Sequence, residues 1–177
     1  MSKLKKRITL ENMEVLFSSI LSPQKINSGG AEVELSSLSL KVKDLDFDII
    51  ESAVQEVIKD KLAEGKVKKL SVYKAIKDDT DRDGNVRGKK IVVKKDKWLT
   101  PILVDSLSQP LATDPFSGSI VDVVIGVKAY ATPALGVGAS LTLEQLMVQK
   151  PAERKSNELK LTLKPRNDLT GTVENPF

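Results

Sequence analysis

The stretch Ser119-Ile120-Val121-Asp122-Val123-Val124-Ile125-Gly126-Val127-Lys128-Ala129-Tyr130-Ala131 decides the fold. Val121, Val123, Ile125 and Val127 recur at every second position. A period of two puts them on one face of a β-strand, with that face turned to a core. Downstream, Ala139, Leu141 and Leu143 repeat the alternation, and Leu146-Met147-Val148 extends it. Leu159, Leu161 and Leu163 alternate in the same way between polar residues. Upstream, Pro101 to Asp105 is short and apolar, Lys90 to Lys95 encloses Ile91-Val92-Val93, and Val67 to Ile76 is a strand candidate of mixed polarity.

Nearer the start, Met13 to Leu21 reads as a first strand that Pro23 ends, and Asn27-Ser28-Gly29-Gly30 is a turn signal. Val33 and Leu35 share one parity, and Leu38, Leu40 and Val42 the other. The shift at Ser36-Ser37 implies a β-bulge or two short strands. One helix interrupts the strands, from about residue 46 or 48 to Ala63. Asp48 and Glu51 form a capping-box-like start, Ile50, Val54, Val57, Ile58 and Leu62 recur at helical spacing, and Gly65 sits at the C-terminal cap. Such a stripe is core packing before it is a partner groove. The expected fold is mainly β: an antiparallel, OB-fold-like barrel of five or more strands with one helix (46–63). The expected organisation is a basic N-terminal arm over 1–12, a barrel domain over 13–165 and a flexible tail over 166–177.

The 177 residues suit one domain, and 40% hydrophobic content is enough for a core. The chain has no Cys and no His. That removes disulfides, thiolate zinc sites, imidazole ligands and every His-based triad. The expectation is a non-enzyme with no cofactor. No apolar run approaches the roughly 20 residues that span a bilayer, so no membrane association is expected.

The net charge of +4 is unevenly spread: Lys59 to Trp98 holds 14 Lys or Arg against 7 Asp or Glu, a net of +7. A basic segment in an otherwise mildly acidic chain suits a polyanion, or is a solvated face kept for solubility.

Within it, Arg87, Lys89, Lys90, Lys94, Lys95 and Lys97 flank a β segment and can track phosphates. Trp98, the chain's one Trp, follows amid charges and is a candidate stacking ring or a cap on the barrel. Lys69, Tyr73 and Lys74 belong to another stretch that is either a stacking face or a solvent face. Phe116 and Tyr130 are further ring candidates, although Tyr130 ends an apolar strand and can simply pack.

Asp79, Asp81 and Asp83 with Gly84 imitate a calcium loop, but the twelfth position is Lys90 where that loop needs Glu. Asp-Gly turn chemistry explains the same residues as a hairpin tip, and no metal site is expected. A divalent-dependent nuclease built on these three acids is the third-ranked reading. Gly136-Val137-Gly138 lies between strands and is too short to signal a phosphate-cradling loop. The chain ends Glu174-Asn175-Pro176-Phe177, where a ring and a free carboxylate coincide as in terminus-capture motifs, or the end is arbitrary.

Read in order, Pro101-Ile102-Leu103-Val104-Asp105, Phe116-Ser117-Gly118-Ser119, Tyr130, Gly136-Val137-Gly138-Ala139-Ser140-Leu141-Thr142-Leu143 and Leu146-Met147-Val148 resemble the phage-encoded single-stranded DNA-binding proteins of OB-fold type. The helix after the early strands fits the same family, and the order matches over about 130 residues. The resemblance implies a barrel that coats single-stranded DNA without sequence preference in replication or recombination, in the cytoplasm of an infected bacterium. It implies rings on bases and lysines on phosphates. It also implies recruitment of a phage DNA polymerase or helicase by an acidic tail ending in Phe. Glu174, Pro176 and Phe177 match the tip, but from Arg166 on only Asp168 and Glu174 are acidic. Homo-oligomer formation is left open. The rival class is a phage protein-interaction or structural adaptor module without nucleic-acid affinity.

Overall fold

The computed structural model describes residues 5–96 and 98–153. They form β1 (Lys5–Ser18), β2 (Gln24–Ser28), β3 (Ala31–Leu35), β4 (Ser37–Val42), α1 (Asp44–Ala63), β5 (Ile76–Thr80), β6 (Val86–Lys95), β7 (Ile102–Val104), β8 (Ile120–Thr132) and β9 (Gly136–Lys150). The strand pattern that opened the reading is β8: Val121, Val123, Ile125 and Val127 are all buried. Its partner β9 buries Leu141, Leu143, Leu146 and Val148 against the same core.

Five strands close a ring. β1 pairs antiparallel with β4 and β8, β4 with β6, and β8 with β9. The ring is shut by a short parallel contact in which Lys94 and Lys95 of β6 face Thr142 and Leu143 of β9. The strand order β1-β4-β6-β9-β8 around the ring makes this an OB-like barrel, as expected. β5 and β7 extend the sheet at its two edges, and β2–β3 is a separate hairpin around Gly29-Gly30.

Helix α1 packs on β8, β9 and β1 and buries Ile50, Ala53, Val54 and Val57. It starts at Asp44, before the expected capping box. Asp44 and Asp46 occupy the first turn, where carboxylates meet the positive end of the helix dipole, and Lys43 makes no side-chain cap. At the other end Gly65 takes φ 73° and its N–H donates to the Leu62 carbonyl, the cap that its position implied.

Two expectations differ from the structure. β1 begins at Lys5, inside the stretch read as a loose arm. Ile8 and Leu10 are buried on one parity, and Met13 and Val15 on the other. The register shifts between Leu10 and Met13, where Asn12 sits at φ 54° and donates its N–H to Asp122 Oδ1 at 2.9 Å. The irregularity splits one strand in two, and only the half from Met13 on reads as a strand in the sequence. Conversely, Val67 to Ile76 is not a strand. It touches the sheet at one bridge, Leu70 to Val137, and regular pairing begins only at Ile76. At Ser36 the structure has two short strands, β3 and β4. The alternating leucines 159, 161 and 163, and the tail, lie outside the described residues.

No helix among the described residues is long and apolar enough to cross a membrane.

Candidate nucleic-acid interface

A cleft of about 860 Å³ lies between three elements: the segment that enters β5, the end of β6 and the β8–β9 hairpin. Val92, Ala139, Leu141 and Thr142 line it: Val92 and Thr142 from the outer face of their strands, Ala139 and Leu141 from the face turned to the core. Tyr73, Trp98, Tyr130 and Leu135 give it ring and aliphatic surface. Lys74, Lys77, Lys94, Lys95 and Lys128 give it positive charge, against a single acid, Asp96.

The presentation of the rings has local causes. Asp96 Oδ1 accepts the Trp98 N–H at 2.8 Å. This Asx turn ends β6 and throws the indole outward, 90% exposed. Tyr73 is 61% exposed on the irregular segment before β5. Tyr130 is half-buried, and its Oη lies 2.9 Å from Ser71 Oγ. Exposed aromatic faces beside cations are surfaces on which bases stack.

Among the described residues none of the five cleft lysines has an ion-pair partner within 4.0 Å. The contrast with the neighbouring hairpin is sharp. There Arg87 and Lys90 share Asp79 at 3.4 and 3.9 Å, and Lys89 pairs with Asp78. Unpaired cations converging on one concave surface hold a positive potential that an anionic ligand lowers.

The sequence candidates therefore separate. Trp98, Tyr73, Tyr130, Lys74, Lys94 and Lys95 meet in the cleft. Arg87, Lys89 and Lys90 lie on the β5–β6 hairpin with acidic partners. Lys69 contributes its carbonyl to the Val137 N–H at 2.7 Å and does not line the cleft. Phe116 is 47% exposed beside a smaller pocket of about 180 Å³, with Leu111, Asp114 and Val148. Lys97, Glu174, Pro176 and Phe177 lie outside the described residues. Lys77 and Lys128 were missed. Lys128 had a signal, since it precedes Tyr130 by two residues and so shares its strand face.

Two of the three acids of the calcium-like loop, Asp79 and Asp81, are occupied otherwise. Asp81 Oδ1 accepts the N–H groups of Asp83 and Asn85, each at 2.9 Å. The hydrogen bond from Asn85, outweighing its slight burial, holds the Asp81 carboxyl below the usual carboxylate range. This is the hairpin tip that the Asp-Gly chemistry implied. Among the described residues no group of three potential ligands is placed to hold a metal ion.

No protein-family model matches the chain, and no curated protein matches it. Solved structures do. The single-stranded DNA-binding protein of bacteriophage Enc34, in complex with single-stranded DNA, is similar at TM-score 0.63 and 18% identity, over 84% of this chain and 89% of that one. Gp2.5, a single-stranded DNA-binding protein encoded by bacteriophage T7, is similar at TM-score 0.56 and 17% identity, over 98% of this chain and 97% of that one. At these identities the likeness is one of fold, and it agrees with the family resemblance read from the ordered motifs.

Proposed function

We propose that this protein binds single-stranded DNA in the cleft between residues 66–75, β6 and the β8–β9 hairpin. The observation that carries the reading is the convergence, on one face of an OB-like barrel, of two exposed rings with five lysines that have no ion-pair partner among the described residues. Two structurally similar phage proteins are single-stranded DNA-binding proteins, which supports the same ligand here.

Trp98 and Tyr73 stack on bases, with Tyr130 as the inner wall. Lys74, Lys77, Lys94, Lys95 and Lys128 neutralise phosphates. Every base offers a π-face, so such a site binds without sequence preference, and each stacked base contributes roughly 1–3 kcal/mol. The role that follows is coating of single strands during phage DNA replication or recombination, in the cytoplasm of the infected bacterium. In this reading the protein acts by binding alone. Recruitment of a polymerase or helicase by the tail tip Glu174–Phe177 belongs to the same reading.

Trp98 is the chain's only Trp, so its fluorescence reports on the cleft directly. Titration with oligo-dT at low salt quenches it to saturation. An emission spectrum unchanged by saturating oligonucleotide removes Trp98 from the site.

A further inference from the structure

The segment 66–75, a strap between α1 and β5, is seated on β9 at one point. The Val137 N–H donates to the Lys69 carbonyl at 2.7 Å, and the Ser71 N–H donates to the Val137 carbonyl at 2.8 Å. Gly136 and Gly138 flank that point and make room for it. A Cβ on Gly136 would stand 2.6 Å from the Lys69 carbonyl oxygen. One on Gly138 would stand 2.4 Å from Tyr130 Oη and 3.0 Å from Ser71 Cβ. The Gly-Val-Gly triplet is thus the seat of the strap.

Above the seat, Ser71 Oγ makes two contacts. It is hydrogen-bonded to Tyr130 Oη at 2.9 Å, and it accepts the Tyr73 N–H at 3.2 Å. Tyr73 and Tyr130 are the chain's only tyrosines, and both line the cleft while Ser71 does not. One hydroxyl therefore ties the Tyr130 ring to the backbone that carries Tyr73, 57 positions away in sequence.

We propose that Ser71 is a positioning residue for single-stranded nucleic acid, holding the Tyr130 ring in place against the backbone that presents Tyr73. The inference rests on the binding reading above. A ring ordered before binding spares the ligand the cost of ordering it, about 0.5–1.5 kcal/mol per side chain. Without the Ser71 hydroxyl, the half-buried Tyr130 hydroxyl and the Tyr73 N–H both lose their partner, while the backbone bonds that seat the strap remain.

The test is a small cycle of variants, Ser71→Ala, Tyr130→Phe and the two together, titrated with labelled oligo-dT and melted in parallel. Ser71→Ala is expected to weaken binding roughly five- to tenfold. Its thermal midpoint should stay unchanged, and so should its salt dependence, because the lysines are untouched. Tyr130→Phe keeps the ring and breaks the same bond from the other side, so the double variant should bind like Ser71→Ala alone. Wild type that binds while Ser71→Ala binds as tightly overturns the positioning role alone, as do losses that simply add or that track a fall in thermal midpoint. Absence of wild-type binding overturns the single-strand reading, and the positioning role with it. If Ser71→Ala does not fold, Tyr130→Phe carries the comparison: weakened binding at unchanged stability supports the role, and unchanged binding overturns it.

Discussion

Trp98 and the cleft lysines make separable contributions. Trp98 has almost no packing to lose, so Trp98→Ala should leave the thermal midpoint in place while costing about 1–3 kcal/mol of affinity for oligo-dT. An affinity loss that appears only alongside lowered stability contradicts the stacking role. The lysines act through counterion release, with the log–log salt slope falling by about 0.7 for each single-strand phosphate neutralised. Lys94→Ala or Lys128→Ala should reduce the slope by about that amount. Lys89→Ala should change it little, because Lys89 already faces Asp78. Equal effects at all three positions would show that the acidic partners do not matter. Residue counting could not separate these lysines. The net charge of +7 over Lys59–Trp98 treats Lys89 and Lys94 alike, whereas cross-strand register puts one beside an acid and the other over the cleft.

The ends of β1 are pinned by acids whose titration should be visible in stability. Near its start, Lys5 and Arg7 both meet Glu144 of β9. Burial there would raise the Glu144 pKa, but the hydrogen bonds and charges of Lys5 and Arg7 outweigh it and hold it below the usual 4.5. At the far end Asp114 is likewise raised by burial. Its bonds from the Ser18 hydroxyl and the Leu21 and Ser22 amides prevail and lower it below 3.8. Both groups bind protons less readily folded than unfolded, so their contribution is complete above those ordinary values and lost as pH falls through the depressed ones. Thermal midpoints followed downward from pH 5 should therefore drop, and Glu144→Gln should flatten part of that drop. An identical acid profile in Glu144→Gln removes Glu144 from the account. At the same scale the sequence was most legible where the period was unbroken, as in β8 and α1. It was least legible at β1, where the irregularity at Asn12 moved the buried parity, and at 67–76, where a single bridge to Val137 stands in for a strand.

The barrel as a whole rests on a core that β8 crosses from end to end. Ile125, fully buried at its middle, should cost about 2–5 kcal/mol when cut to Ala, read as a shift in the denaturation midpoint at constant m-value. A loss below 1 kcal/mol would mean that the core is not packed as described. The barrel also explains why the site was only partly readable. Tyr73, Lys94 and Trp98 come from one basic stretch, and Lys128 and Tyr130 stand on β8, thirty or more residues further on. Closure of β6 against β9 brings the two sets together. The claim that this joint surface binds single strands is tested most directly by anisotropy of a labelled oligo-dT across a series of salt concentrations. Five phosphate contacts predict a log–log slope of about −3.5, with unlabelled duplex competing poorly. No binding at low salt, or an affinity indifferent to salt, contradicts it.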